Sequence, residues 1–345
     1  MAFGRIQVNE EILMRKSHFK LAVFLSLGTL VLAGAATLVP RRSSAATLST
    51  AIIGMFPKDV GEFAYADLKA ARQFSWFSQL RDQALPARFR QFEQFLASAG
   101  VDPNTQVEEL AWGFIPGNDK QGEQVVGVAL GQFNPPATEQ KFKSQKLSFI
   151  TDRGFHLYSF GGGDSSLLFF FIDANTAAFG ERQALDKLLD VRTGTADSVM
   201  HNDLLGPLIA DANGNGQFWA AMNRHYTQVT LKQLLPQTDQ FPQAAQVVDR
   251  VRAMFLDIQA GNSGVDTNFQ AVCATPDDAN VLAAALQAGV LFRKYQATQA
   301  ADTVLANALD GIRVTAAGER LKISAPITQD QLTSMLRNGS FATKM

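Results

Sequence analysis

From Leu21 to Pro40 the chain runs twenty residues without a charge (LAVFLSLGTLVLAGAATLVP). At 1.5 Å per residue, a helix of that length spans ~30 Å, the thickness of a bilayer's hydrocarbon core. Beyond it the pattern breaks into short segments. Thr47–Phe56 reads as a short helix or linker closed by Pro57, and Glu62–Asp67 alternates with period two, the mark of a strand. Phe74, Phe77, Leu80, Ala84, Phe89, Phe92, Phe95 and Leu96 recur every three or four residues. That stripe predicts amphipathic helix. Pro86 divides it, because proline removes a backbone donor and clashes with the preceding turn.

Strands are then predicted over 109–115, 125–133, 147–151, 155–160, 167–172 and 175–179, with a short helix at 139–144 and another at 181–189. The same succession starts again with a strand at 217–222. A helix follows over Gln243–Met254, with Val247, Val248, Val251 and Met254 on one face. Strands are expected at 256–259 and 265–274. Thr275-Pro276-Asp277-Asp278 is a helix entry: a capping threonine, a first-turn proline and two acids that suit the macrodipole. It opens an Ala/Leu-rich helix over 279–309, with Gly289 as an expected break. Strands at 312–316 and 320–324 and a helix at 329–337 close the chain. Each half reads as strand, helix, strand pair, proline-opened helix, strand pair. The expected fold is α+β: an N-terminal transmembrane or signal helix, then two related α+β units with mainly antiparallel sheets and helices on one face. The boundaries are a cytoplasmic leader at 1–20, the apolar span at 21–40, a linker at 41–56, and units at 57–210 and 211–345.

Charge sharpens the placement. Residues 1–46 hold six basic side chains (Arg5, Arg15, Lys16, Lys20, Arg41, Arg42) against Glu10 and Glu11, so they carry +4 and the remaining chain −5. Arg15, Lys16 and Lys20 precede the apolar run, which by the positive-inside rule keeps that end in the cytoplasm and exports the body. The expectation is a bacterial inner-membrane protein of one span, its body extracytoplasmic. Ser43-Ser44-Ala45-Ala46 also has the small residues a signal peptidase takes, so an exported, cleaved form stays open. A mildly acidic body argues against nucleic acid as a partner.

Little recognisable chemistry is written in the chain. One cysteine, Cys273, excludes a disulfide framework and a Cys-based zinc cage. It reads as a small buried hydrophobe. Asp211-Ala212-Asn213-Gly214-Asn215-Gly216 matches the first six positions of a calcium loop, but the twelfth, which needs a bidentate Glu, is Met222. Gly161–Ser166 is glycine-rich yet leads into a strand, so it reads as a hairpin turn and not a phosphate cradle. Of the four histidines, His18 falls in the leader, His156 in a strand and His201 at a helix entry, and His225 follows a strand end. No catalytic, cofactor or metal residue is assigned. Phenylalanine, 26 residues of 345, is abundant. The stripe at 74–95 and Phe169-Phe170-Phe171 suit core packing or the lining of a lipid cavity.

Two passages, NTAAFGERQALDKLLDVRTGTADSVMHNDLLGPLIADANGNGQFWAAM (175–222) and FPKDVGEFAYADLKAAR (56–72), resemble uncharacterised exported or membrane-anchored bacterial proteins built from repeated α+β units. The resemblance implies an envelope location and that architecture, and it transfers no site residue. The leading expectation is a non-enzymatic envelope protein, anchored through residues 21–40, that binds another protein. Binding of an apolar ligand such as a lipid is the alternative, and a hydrolase using His225 or His156 the second alternative.

Overall fold

The structure is a computed structural model that describes residues 46–84, 87–98, 100–117, 122–160, 167–234, 248–261 and 264–337. The apolar run 21–40, His18, the Ser43–Ala45 part of the cleavage motif, the Pro86 break and the glycine-rich turn 161–166 lie outside the described residues.

Among the described residues, twelve strands join in one antiparallel sheet. They are β1 (Glu62–Asp67), β2 (Val107–Ile115), β3 (Gln124–Gly131), β4 (Phe149–Asp152), β5 (Phe155–Phe160), β6 (Leu167–Phe171), β7 (Thr176–Gly180), β8 (Phe218–Asn223), β9 (Val251–Gly261), β10 (Gly264–Cys273), β11 (Arg313–Ala317) and β12 (Arg320–Thr328). Their order across the sheet is β11-β12-β10-β9-β8-β1-β2-β3-β7-β6-β5-β4. The fold is therefore α+β with a large antiparallel sheet. The spans 57–210 and 211–345 each contribute a contiguous run of strands, and β1 pairs with β8 where the runs meet.

Helices cover both faces of the sheet's centre, a correction to the one-sided arrangement expected from sequence. Successive residues of a strand point to opposite faces, and in β1, β6 and β7 every residue is buried. Such strands need cover on both sides. Phe63 and Tyr65 enter a core closed by α1 (Thr50–Ile53), α7 (Arg182–Arg192) and α8 (Leu205–Ala212). Ala64 enters the other core, closed by α3 (Phe77–Ala84), α4 (Ala87–Ser98), α6 (Pro135–Ser144), α9 (Arg224–Leu234) and α10 (Pro276–Gln299). Short helices α2 (Leu68–Ala71) and α5 (Pro103–Gln106) link β1 to α3 and α4 to β2. One-sided cover holds at the β11–β12–β10 end: buried Leu321 and Ile323 face α10, α11 (Thr303–Asp310) and α12 (Gln329–Arg337), while Arg320 and Lys322 stay exposed.

Other expectations shift at particular elements. Val251 and Met254, read as helical, stand in β9, paired with β8 and β10. Residues 243–247 lie outside the described residues. Helix α10 runs through Gly289 and stops at Gln299, and Ala301, at φ +56°, separates it from α11. Its start is as expected: Thr275 accepts from the Asp278 backbone N–H at 3.1 Å. None of the helices among the described residues is long and apolar enough to cross a membrane.

At the β9–β10 turn, Gly264 has φ +143°, and a Cβ there would stand 1.9 Å from the Ile327 carbonyl oxygen on β12. Both the conformation and the close backbone approach need glycine. Gly264→Ala is expected to cost about 3 kcal/mol, the sum of backbone strain and overpacking. Urea unfolding of the variant beside the parent measures the loss.

Candidate functional site

A cavity of about 300 Å³ lies between the sheet and the α3–α4 pair, at the low end of the ~300–1,000 Å³ usual for ligand sites. Strand alternation builds its floor. Leu110, Trp112 and Phe114 project from β2, Val125 and Ala129 from β3, and Ala177 and Phe179 from β7. The intervening Ala111, Val126, Val128 and Ala178 turn to the opposite core. Ala129 is paired with both Leu110 and Ala177, so two methyl groups side by side leave the floor low there. Gly127 lies under the ring of Phe179, where a Cβ would meet Cζ at 2.1 Å. The roof comes from Phe77 on α3 and Phe89, Phe92 and Leu96 on α4. Phe92 packs on Phe179 with ring centroids 5.9 Å apart. Half of the phenylalanine stripe thus lines a cavity, while Phe95 stacks on Phe142 in the core, centroids 5.7 Å apart. In the Phe169–Phe171 run only Phe169 reaches the cavity, and Phe170 packs on the other face.

Among the described residues, the charged side chains lining the cavity are Arg72, Arg81 and Glu93, and Ser78 and Asn104 join the lining as exposed polar residues. Arg81 donates to Glu93 and ties α3 to α4. Arg72 donates from Nη2 to the carbonyl oxygens of Pro103, at 3.0 Å, and Val107. Burial, then the like charge of Arg81, lowers the pKa of Arg72 from its usual value, against smaller opposing effects of Asp102, Glu108 and Asp67. It remains a cation at any ordinary pH. Sequence reasoning passed over all three, since isolated charged residues beside helices read as solvated surface.

Beside the cavity residue Phe114, Glu62 is fully buried, across from Phe114 on β2 and Met222 on β8. Neither carboxyl oxygen has a hydrogen-bond partner among the described residues. Burial first, and the negative charge of Glu123 second, hold its pKa well above the ordinary 4.5. Tyr226 is buried in the same group, its ring 6.4 Å from that of Phe114, and burial followed by Glu123 raises its pKa too.

The motifs weighed in the sequence are dispersed. Cys273 is buried, its thiol pushed up to about 11 by burial and by the nearby Asp278 and Glu319. A thiol so raised is a poor nucleophile. His156 Nδ1 lies 3.4 Å from Glu139 Oε2 beside Phe149. His225 is exposed at the start of α9. Neither histidine has a serine or cysteine as hydrogen-bond partner among the described residues. The Asp211–Gly216 stretch serves as a structural turn: Asp211 pairs with Arg320 at 3.3 Å, and the Asn213 side chain bonds both backbone groups of Leu48 at 2.9 Å. No group of three metal-ligating side chains occurs among the described residues. On the outer face of α10, Val281, Leu291, Phe292 and Tyr295 are exposed, Leu291 by 67%.

No family model matches the chain, and no curated protein matches it. Among solved structures it is similar to crystal form I of TP0453, with 12% identity and a TM-score of 0.46 over 88% of this chain and 100% of that one. Crystal form III of the same protein matches at 11% identity and a TM-score of 0.47, over the same shares.

Proposed function

We propose that this protein binds an apolar ligand with a chain-like or ring-like hydrocarbon part in the cavity under α3 and α4. The cavity carries the reading: natural cores pack to crystal-like density with few voids larger than a water, and this one leaves about 300 Å³ among leucine, valine, alanine and aromatic side chains. An apolar cavity stays dry and accepts hydrocarbon, and each buried methylene favours binding by ~0.8 kcal/mol. Among the described residues no assembled catalytic group competes with that role. The uncharged run 21–40, behind Arg15, Lys16 and Lys20, supports an inner-membrane anchor with the body on the extracytoplasmic side, next to a source of such ligands. Solvent extraction of the purified chain followed by mass spectrometry, together with displacement of N-phenylnaphthylamine, is the test. A stoichiometric co-purifying lipid or a saturable, displaceable signal is expected. Neither appearing would end the reading. Protease protection in spheroplasts checks the topology.

A second reading, docking of a partner protein, is favoured by the exposed apolar face of α10, since apolar residues all round a helix usually mean cover on every side. A photo-crosslinker at Tyr295 is expected to give one discrete adduct in intact cells, and a ladder or bare monomer would count against it.

A further inference from the structure

Resting on the cavity reading, we propose that the ligand is a single-chain anionic amphiphile whose carboxylate or phosphate head is held by the Arg72 guanidinium in the cavity's lining. Among the described residues, two of the three charged side chains lining the cavity are arginines, and the acid, Glu93, is already taken by Arg81. Among the described lining residues, that leaves Arg72 as the cation without an ion-pair partner. Arginine has five N–H donors in a fixed fork. Both protein hydrogen bonds of Arg72 come from Nη2 and go to backbone carbonyls, so Nε and Nη1 have no hydrogen-bond partner among the described residues. The two carbonyls fix the plane of the fork without neutralising it, and a planar fork suits a two-oxygen anion. Asp67, Asp102 and Glu108 favour the charged form of Arg72 electrostatically, but none of them is a hydrogen-bond partner of its fork: Asp67 accepts from Ala70 N–H and Asp102 from Asn104 N–H. Glu108 is paired with Lys69 at 3.0 Å. An uncharged head leaves Nε and Nη1 of the half-buried guanidinium without a charged acceptor, and a cationic head meets a like charge.

The test uses the full chain in lipid nanodiscs, titrated with dodecanoate, dodecyl phosphate, dodecanol and dodecyltrimethylammonium, which share one chain and differ in the head. Ala129→Phe, which fills the floor, serves as the blank for partition into the bilayer. Both anions are expected to bind at least ~10-fold more tightly than dodecanol, a preference of about 1.4 kcal/mol, and the cation more weakly than dodecanol. The two anions, compared with each other, identify the head. Raising the salt from about 0.05 to about 0.5 M shrinks the anion preference while leaving dodecanol unmoved. Arg72→Gln brings the anions down to the dodecanol level, and Arg72→Lys keeps part of the preference. Equal binding of anion and alcohol by the parent, or equal loss of all ligands in Arg72→Gln with a salt-independent preference in the parent, overturns the assignment to Arg72. Binding of none of the four above the blank overturns the cavity reading itself.

Discussion

Ala129→Phe is expected to abolish ligand binding while leaving the fold intact. Ala129 stands on β3 between Leu110 and Ala177 at the lowest point of the cavity floor. A benzyl group there points into space the protein already leaves open. In a known case about 150 Å³ of apolar cavity is enough for one benzene, so the new ring takes roughly half of the available volume. A chain or ring ligand then meets it directly. The expected loss of affinity is ~100-fold or more, about 2.7 kcal/mol. Filling a void usually adds ~0.5–2 kcal/mol of stability. The paired result, weaker ligand binding with an equal or higher urea midpoint, distinguishes a filled site from a damaged fold. A variant that binds as the parent does would show that ligand occupies some other place.

Glu62→Gln is expected to stabilise the protein at neutral and alkaline pH and to remove much of its pH dependence above 4.5. In the unfolded chain the carboxyl titrates near its ordinary 4.5, whereas in the fold burial and Glu123 keep it protonated well above that. Between the two values the native state holds a proton that the unfolded state has released. Stability is therefore complete below about 4.5 and falls as pH rises, by ~1.4 kcal/mol for each pH unit, until the folded value is reached. Among the described residues, the titratable groups acting on it are Glu123 and Tyr226, and neither supplies a cation. Glutamine has nearly the same shape as the protonated acid and never ionises. Denaturant midpoints across pH 4–8 should diverge, with parent and variant alike at the acid end and the variant ahead at the alkaline end. Parallel curves would mean that water or another group compensates the buried carboxyl.

Glu62 also shows why stability and site are linked here. It neighbours Phe114, which lines the cavity, and its ionisation would place a bare charge next to hydrocarbon. Keeping it neutral keeps that end of the cavity apolar.

How much of this was legible along the chain follows from the range of the interactions involved. Period-two alternation located β1 to its residue limits, and Thr275-Pro276 located the start of α10, because these depend on side chains a few positions apart. The Phe stripe announced an apolar helical face. What lay across from it was not local information. Val251 to Ile258 shows the limit: Val251 and Met254 fit a helical spacing, while Ala253 and Phe255 on one face and Met254, Leu256 and Ile258 on the other fit a strand equally well. Pairing with β8 and β10 decided for the strand. Cover on both faces was foreshadowed by the unbroken apolar run of β6, but which helix sat on which side depended on crossovers that no short window contains.

The amino-acid sequence by itself determined the uncharged run 21–40, the strand and helix segments with strong local periodicity, and the lack of a recognisable catalytic motif. Only the tertiary structure brought Arg72, Arg81 and Glu93 into the lining of a cavity floored by Ala129 and Ala177. The physical reason is that a void and its charge arise from contacts between residues far apart in the chain, where each side chain taken alone looks like ordinary core or ordinary surface.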